Sequence, residues 1–188
     1  MVAGGLPEPL GDPTRWLAQP ASAGMPVVFG KGRIWTSSGT DITAWPCFKD
    51  AAELFDFGDL FLVGSVESAH GELLNLPRIM SGEDPASVVA TDVMIDEPLE
   101  IRLQLLLTLL PEDAEAPVAV LAPVVLDTWS HLPKLLSLCW AMNFEGLILK
   151  PLGSRYTVGD KNEHHSPEWI KILAQQSAHA VAEPITFT

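Results

Sequence analysis

The chain has 188 residues, 47% of them hydrophobic and 19% charged, enough for one domain with a real core and too few for two of ordinary size. Its 24 acidic residues outweigh 11 scattered basic ones, for a formal net charge of −13. Affinity for nucleic acid rests largely on neutralising phosphates, so autonomous binding to DNA or RNA is expected to be weak or absent.

No apolar run approaches the roughly 18 to 20 residues that span a bilayer. The N-terminal stretch "MVAGGLPEPLGDPTRW" lacks a basic region followed by an apolar one, which predicts a cytoplasmic protein without membrane association. Cys47 and Cys139 lie in apolar surroundings and read as reduced, buried thiols.

In chain order, residues 1–13 are rich in Gly and Pro and read as an irregular arm. "PVVFGKGRIWTSSGTDI" from Pro26 has β-branched and aromatic runs broken by glycines, which predicts hairpin-linked antiparallel strands. "KDAAELF" suits a short helix. "DLFLVGSVES" and "HGELLNL" predict two more paired strands with a turn at residues 69–71, and "SVVATDVMI" predicts a buried one. "PLEIRLQLLLTLL", between Pro98 and Pro111, has helical spacing, as does "SHLPKLLSLCWAMNF", with Ser130 as its cap and Pro133 in its first turn. Between them, "APVAVLAPVVL" is one strand or a pair of short extended segments. "GLILKPL" and "EWIKIL" close the pattern as strands, and residues 176–188 form a weakly patterned tail. The predicted class is α+β, antiparallel sheets with packed helices, because the strict strand-helix alternation of a parallel sheet is missing.

The candidate chemistry sits late in the chain, in "EGLILK" (145–150), "SRYTVGDK" (154–161) and "SPEWIKI" (166–172). Lys150 and Lys171 are suited to neutralising a triphosphate, and Glu145 to helping hold a divalent metal that bridges phosphate oxygens. Glu145 and Lys150 are five apart, so a regular strand points them to opposite faces, and a twist or bulge is required for both to serve one pocket. The alternative is that both lysines are strand-edge charges that discourage edge pairing. "NEHH" (162–165) reads as a solvated loop, since adjacent residues on an extended chain point apart; no metal site is assigned there.

These three segments, in this order, resemble the end of the nucleotidyltransferase domain of ATP-dependent DNA ligases. That family has a Glu-Gly-hydrophobic-hydrophobic-x-Lys strand, a loop with Ser-x-Tyr and Gly, and a Trp-hydrophobic-Lys strand. The resemblance implies the ATP-grasp-like nucleotidyltransferase fold over residues 14–175, ATP and Mg²⁺ as cofactors, and Glu145, Lys150 and Lys171 as nucleotide-binding residues. Further upstream, "GDLFLVGSVES" resembles the family strand ending in Asp-Gly-Glu, and "VVATDVMI" the strand with an aromatic-Asp pair, Asp92 matching the acid.

Several positions depart from the family pattern. By the family's spacing, the Lys-x-Asp-Gly-x-Arg motif falls on "ASAGMP" (21–26): Gly24 is kept, while Ala21 takes the place of the nucleophilic lysine, Ala23 that of the acid and Pro26 that of the arginine. Ser38 takes an arginine's place, Ser65 a carboxylate's with Glu67 two residues on, Thr91 that of a base-stacking ring, and Leu173 that of a second lysine. A methyl group has no lone pair to attack a phosphorus, so no catalytic residue is assigned. Lys31, in a hairpin tip, is the nearest other lysine. No room is left after "WIKIL" for an oligonucleotide-binding barrel.

The expected function is therefore that of a pseudoenzyme: a scaffold, regulator or subunit in nucleic-acid processing such as DNA repair, working with a protein partner. The alternatives are an active nucleotidyltransferase using another lysine or a partner, and a reversible nucleotide-binding module.

Overall fold

The computed structural model describes residues 10–69, 74–110, 117–156 and 169–173. Nine strands, β1 (Trp16–Ala21), β2 (Met25–Gly30), β3 (Arg33–Thr36), β4 (Leu62–Ser68), β5 (Ala86–Val93), β6 (Val118–Val120), β7 (Val124–Val125), β8 (Gly146–Pro151) and β9 (Ile170–Leu173), form two sheets. One sheet has the order β3-β2-β4-β5-β6 and the other β7-β1-β8-β9. All pairings are antiparallel except β5 with β6. The helices are α1 (Leu76–Ser81), α2 (Leu99–Leu109) and α3 (Leu132–Ala141). This is the predicted α+β architecture. Among the described residues no helix is long and apolar enough to cross a membrane.

The two longer helices each cover a sheet through one apolar stripe. In α2, Leu99, Leu103 and Leu106 are buried at helical spacing, and Leu110 closes the stripe just past the helix. They join Phe29, Ile34, Leu62, Val66, Val88 and Val93 in the larger core, on the five-stranded sheet. Leu132, Leu136 and Cys139 of α3 pack with Ala18, Leu147 and Leu149 in a second core on the four-stranded sheet. The Cys139 thiol is buried, as predicted, and its burial pushes its pKa up; Cys47 is half-buried.

The β4–β5 pairing shifts register between Val63 and Gly64, where the strands approach so closely that a Cβ on Gly64 would lie 2.1 Å from the Val89 carbonyl oxygen. A side chain here would force the strands apart, which is why glycine interrupts this apolar run.

Two local expectations are corrected, one open alternative is resolved and one strand is added. Leu76 opens α1, with Asn75 Oδ1 accepting from the Arg78 N–H and Gly82 ending the helix at φ 79°, so "HGELLNL" does not supply the strand partner of β4; that partner is β2 on one side and β5 on the other. Residues 70–73 and the turn expected at 69–71, apart from Ala69, lie outside the described residues. Ser130 does not cap α3: a short 3₁₀ turn, Trp129–His131, leads into the helix, and the Ser130 hydroxyl bonds to that of Thr128 at 2.6 Å. "APVAVLAPVVL" divides into β6 and β7, which join different sheets. Finally, β1 was not anticipated, because "WLAQPA" carries a glutamine and a proline; proline is tolerated there since β7 reaches only Leu17 and Ala18, leaving Pro20 with one strand neighbour.

Candidate functional site

The register of the four-stranded sheet decides which residues share a face. Ala21 pairs with Gly146, Gln19 with Ile148 and Leu17 with Lys150, and Lys171 also lies opposite Ile148. Directly opposed residues project to the same side of a sheet. Leu17, Gln19, Ala21, Lys150 and Lys171 therefore stand on one face, turned toward the five-stranded sheet, while Ala18, Leu147, Leu149, Ile170 and Ile172 pack against α3 on the other. Ala21, Lys150 and Lys171, singled out from sequence, are thus brought onto one wall facing the other sheet.

At one end of that wall lies a buried ion cluster. Asp92 of β5 and Arg102 of α2 are both fully buried, and the guanidinium grips the carboxylate in a fork: Nε to Oδ1 at 2.8 Å and Nη2 to Oδ2 at 3.1 Å. Arg102 Nη1 donates to the carbonyls of Glu97 at 2.6 Å and Ser154 at 2.7 Å, which ties α2 to the segment after β8. The Lys150 ammonium, its side chain 3% exposed, lies 3.9 Å from Asp92 Oδ2 and 3.9 Å from the ring centroid of Trp169. Burial pushes the Lys150 pKa down to about 8, against the pull of Asp92 and with that of Arg102. Tyr156, whose ring is 5.8 Å from Arg102, has its pKa raised by burial first and by Asp92 second.

Glu145 and Lys171 form their own pair at the rim, Nζ to Oε2 at 2.5 Å, both side chains a little over 40% exposed. No bulge in β8 is needed. The strand keeps a regular register with β1 from Gly146 to Pro151, and Glu145 lies just before it, its N–H donating to the Ala21 carbonyl at 2.8 Å.

At the other end, Ala21 is buried and offers a methyl group to the cleft. The turn that follows holds Ser22, whose Oγ accepts from the Gly24 N–H at 2.8 Å. The Ser65 hydroxyl is shared between Ser22 Oγ at 3.0 Å and Glu67 Oε1 at 2.9 Å, so Glu67 does face the same side as Ser65. Gly24 is required because a Cβ there would lie 2.4 Å from the Val66 carbonyl oxygen. Pro26 is exposed, and Ser38 lies in an exposed turn bonded to Thr36. Thr91 Oγ1 donates to the Val63 carbonyl at 3.3 Å, beside the register shift.

Lys31 does not approach this wall. It occupies the β2–β3 hairpin tip, paired with Asp59 at 3.1 Å and lying over Phe61. The length of β2, about 20 Å for six residues, separates it from the turn after Ala21.

Among the described residues the cleft-side carboxylates are each engaged by a neighbouring side chain. Asp92 is taken by Arg102, Glu145 by Lys171 and Glu67 by Ser65. Among the described residues no three His, Cys, Asp or Glu side chains are placed to hold an ion between them. Residues 157–165, including the loop with His164 and His165, lie outside the described residues.

Three residues escaped the sequence reading. Gln19 donates both amide hydrogens across the cleft, to the Thr91 carbonyl at 3.2 Å and the Leu121 carbonyl at 2.7 Å, joining the sheets. Arg102 organises the ion cluster, and its signal was available as a lone charge within the apolar stripe of a helix. Ser22 gave none, because a serine in a turn is common.

No protein-family model matches the chain, and no curated protein matches it by sequence. In three dimensions it is similar to a Lig E DNA ligase (TM-score 0.64, 18% identity, 92% of this chain and 67% of that one). It is also similar to mycobacterial DNA ligase D complexed with ATP (TM-score 0.62, 20% identity, 83% and 53%) and to Chlorella virus DNA ligase-adenylate (TM-score 0.61, 20% identity, 83% and 61%). The chain has the nucleotidyltransferase fold of ATP-dependent DNA ligases. It spans 53 to 67% of the length of those three chains.

Proposed function

We propose that this ligase-fold domain does not form lysyl-AMP and acts by non-covalent binding, as a scaffold, regulator or subunit in nucleic-acid processing together with a protein partner. The observation that carries this reading is Ala21, whose methyl group takes the cleft-facing position on β1 opposite Gly146. Covalent transfer of AMP needs an amine lone pair in line with the α-phosphorus, and Ala21 offers none. Lys150 is held in the buried cluster at the opposite end of the wall, and Lys31 is a strand's length away. The absence of an arginine at Pro26 and of a carboxylate at Ser65 supports the same reading. The test is incubation of the purified chain with α-labelled ATP and Mg²⁺. No acid-labile covalent label is expected, and its appearance on the chain overturns the proposal.

A second reading, reversible binding of an anionic nucleotide, is favoured by Lys150. A buried ammonium 3.9 Å from Asp92 Oδ2, on the same sheet face as Lys171, is a pre-placed positive charge. Calorimetry with ATP on the wild type and Lys150→Ala checks it; equal heats count against it.

A further inference from the structure

We propose that the outer face of α3 pairs with the same face of a second copy of this chain, the two helices running antiparallel about a two-fold axis near Leu138. The helix packs on the side of the four-stranded sheet away from Ala21 and Lys150, so its partner is independent of the readings above.

Helix α3 is apolar on more than one side. Leu132, Leu136 and Cys139 are buried in the core, yet Leu138, Trp140 and Met142 stand 49%, 51% and 63% exposed. Residues four apart on a helix line up as ridges. One ridge is Lys134–Leu138–Met142. The next, Pro133–Ser137–Ala141, carries smaller side chains, all of them exposed, and Trp140 lies beyond it. A ridge thus runs beside a trough, and a two-fold axis sets the ridge of each copy into the trough of the other.

Charge selects the occupant and the direction. From Trp129 to Phe144 there is no acid, in a chain that has 24, so two copies of net charge −13 meet with least repulsion through this stretch. The one charge on α3 is Lys134, in a first turn that holds no acid, and the last turn holds no base. A cation at that end opposes the dipole of its own helix. Leu138 lies midway between Lys134 and Met142, about 6 Å of helix from each. Antiparallel pairing about Leu138 therefore brings each ammonium to the C-terminal end of the other helix, where its sign is right. A parallel pair would set the two lysines side by side. One three-turn face is small next to the roughly 800 Å² per partner of a stable complex, so the dimer is reversible.

The experiment is sedimentation velocity on the full chain from about 10 μM to 1 mM, with thermal melts on each variant. Expected is a mass that rises toward that of two chains, with a Kd on the order of 100 μM. Association should weaken by at least about tenfold in Leu138→Glu and by about three- to tenfold in Lys134→Glu. The second variant gives the helix N-terminus the sign that its own dipole favours, so association lost there is not folding lost. Leu138→Cys, close to the axis, should cross-link to itself under mild oxidation with diamide, beyond the background from Cys47 and Cys139 in the wild type. A chain that stays monomeric to about 1 mM overturns the proposal and leaves this face to a different protein. Dimers that Leu138→Glu does not weaken lie elsewhere on the molecule and overturn it as well. Equal or tighter association in Lys134→Glu, or no cross-link through Leu138→Cys, overturns the antiparallel arrangement.

Discussion

The two ends of the cleft wall differ in how they treat charge. Around Asp92, Arg102 and Lys150 the charges are buried, and the carboxylate and guanidinium satisfy each other and the neighbouring backbone. Around Ala21, Ser22, Pro26 and Ser65 these side chains are small and uncharged, and the nearby Glu67 carboxylate accepts from Ser65. The first end joins β5, α2, β8 and the segment after β8, so its charges hold up the fold whether or not any reaction occurs. The second end crosses one turn, Ser22–Gly24, and asks little of the core. The residues that bear the architecture at the first end are thus distinct from those at the second.

The sharpest way to break this contrast is Arg102→Met, which leaves Asp92 buried without its fork. A loss of about 3 to 5 kcal/mol is expected in urea unfolding, because the remaining charge is uncompensated. A loss below about 1 kcal/mol would show that the cluster does not hold the sheets together. Next, Gln19→Leu strands the carbonyls of Thr91 and Leu121, at an expected cost of about 1 to 3 kcal/mol. Equal stability would mean that the amide bridge contributes nothing.

Lys150 gives a pH signature. Its folded pKa, about 8, lies below its ordinary value of 10.5. The unfolded chain therefore binds more protons between these values, and stability rises with pH across that window and falls away as pH drops through 8. Tyr156 works the other way: its raised folded pKa contributes stability below its ordinary value of 10.0, which is lost above it as pH passes the folded pKa, so the window to read is pH 8 to 9.5. About 2 kcal/mol of stabilisation is expected there, and Lys150→Met should abolish the slope. A falling or flat profile in the wild type would refute the buried, charged assignment. The smallest effect is expected at the rim, where Glu145→Gln should change stability by less than about 1 kcal/mol, since the pair is partly exposed. A larger loss in the melt would recast Glu145 as a structural residue.

The sequence by itself determined the α+β class, both long helices, the β2–β3 hairpin and the late strands that carry Lys150 and Lys171. Apolar periodicity and glycine punctuation are local properties, and each of these elements carries them within its own residues. Only the tertiary structure decided that β1 is a strand, since its glutamine and proline are explained by neighbours more than a hundred residues away. The same holds for what the charges do. Whether Lys150 meets solvent, a ligand or Asp92, and whether Glu145 faces a metal or Lys171, depends on strand register and on how two sheets approach, and those are set by burial across the whole chain.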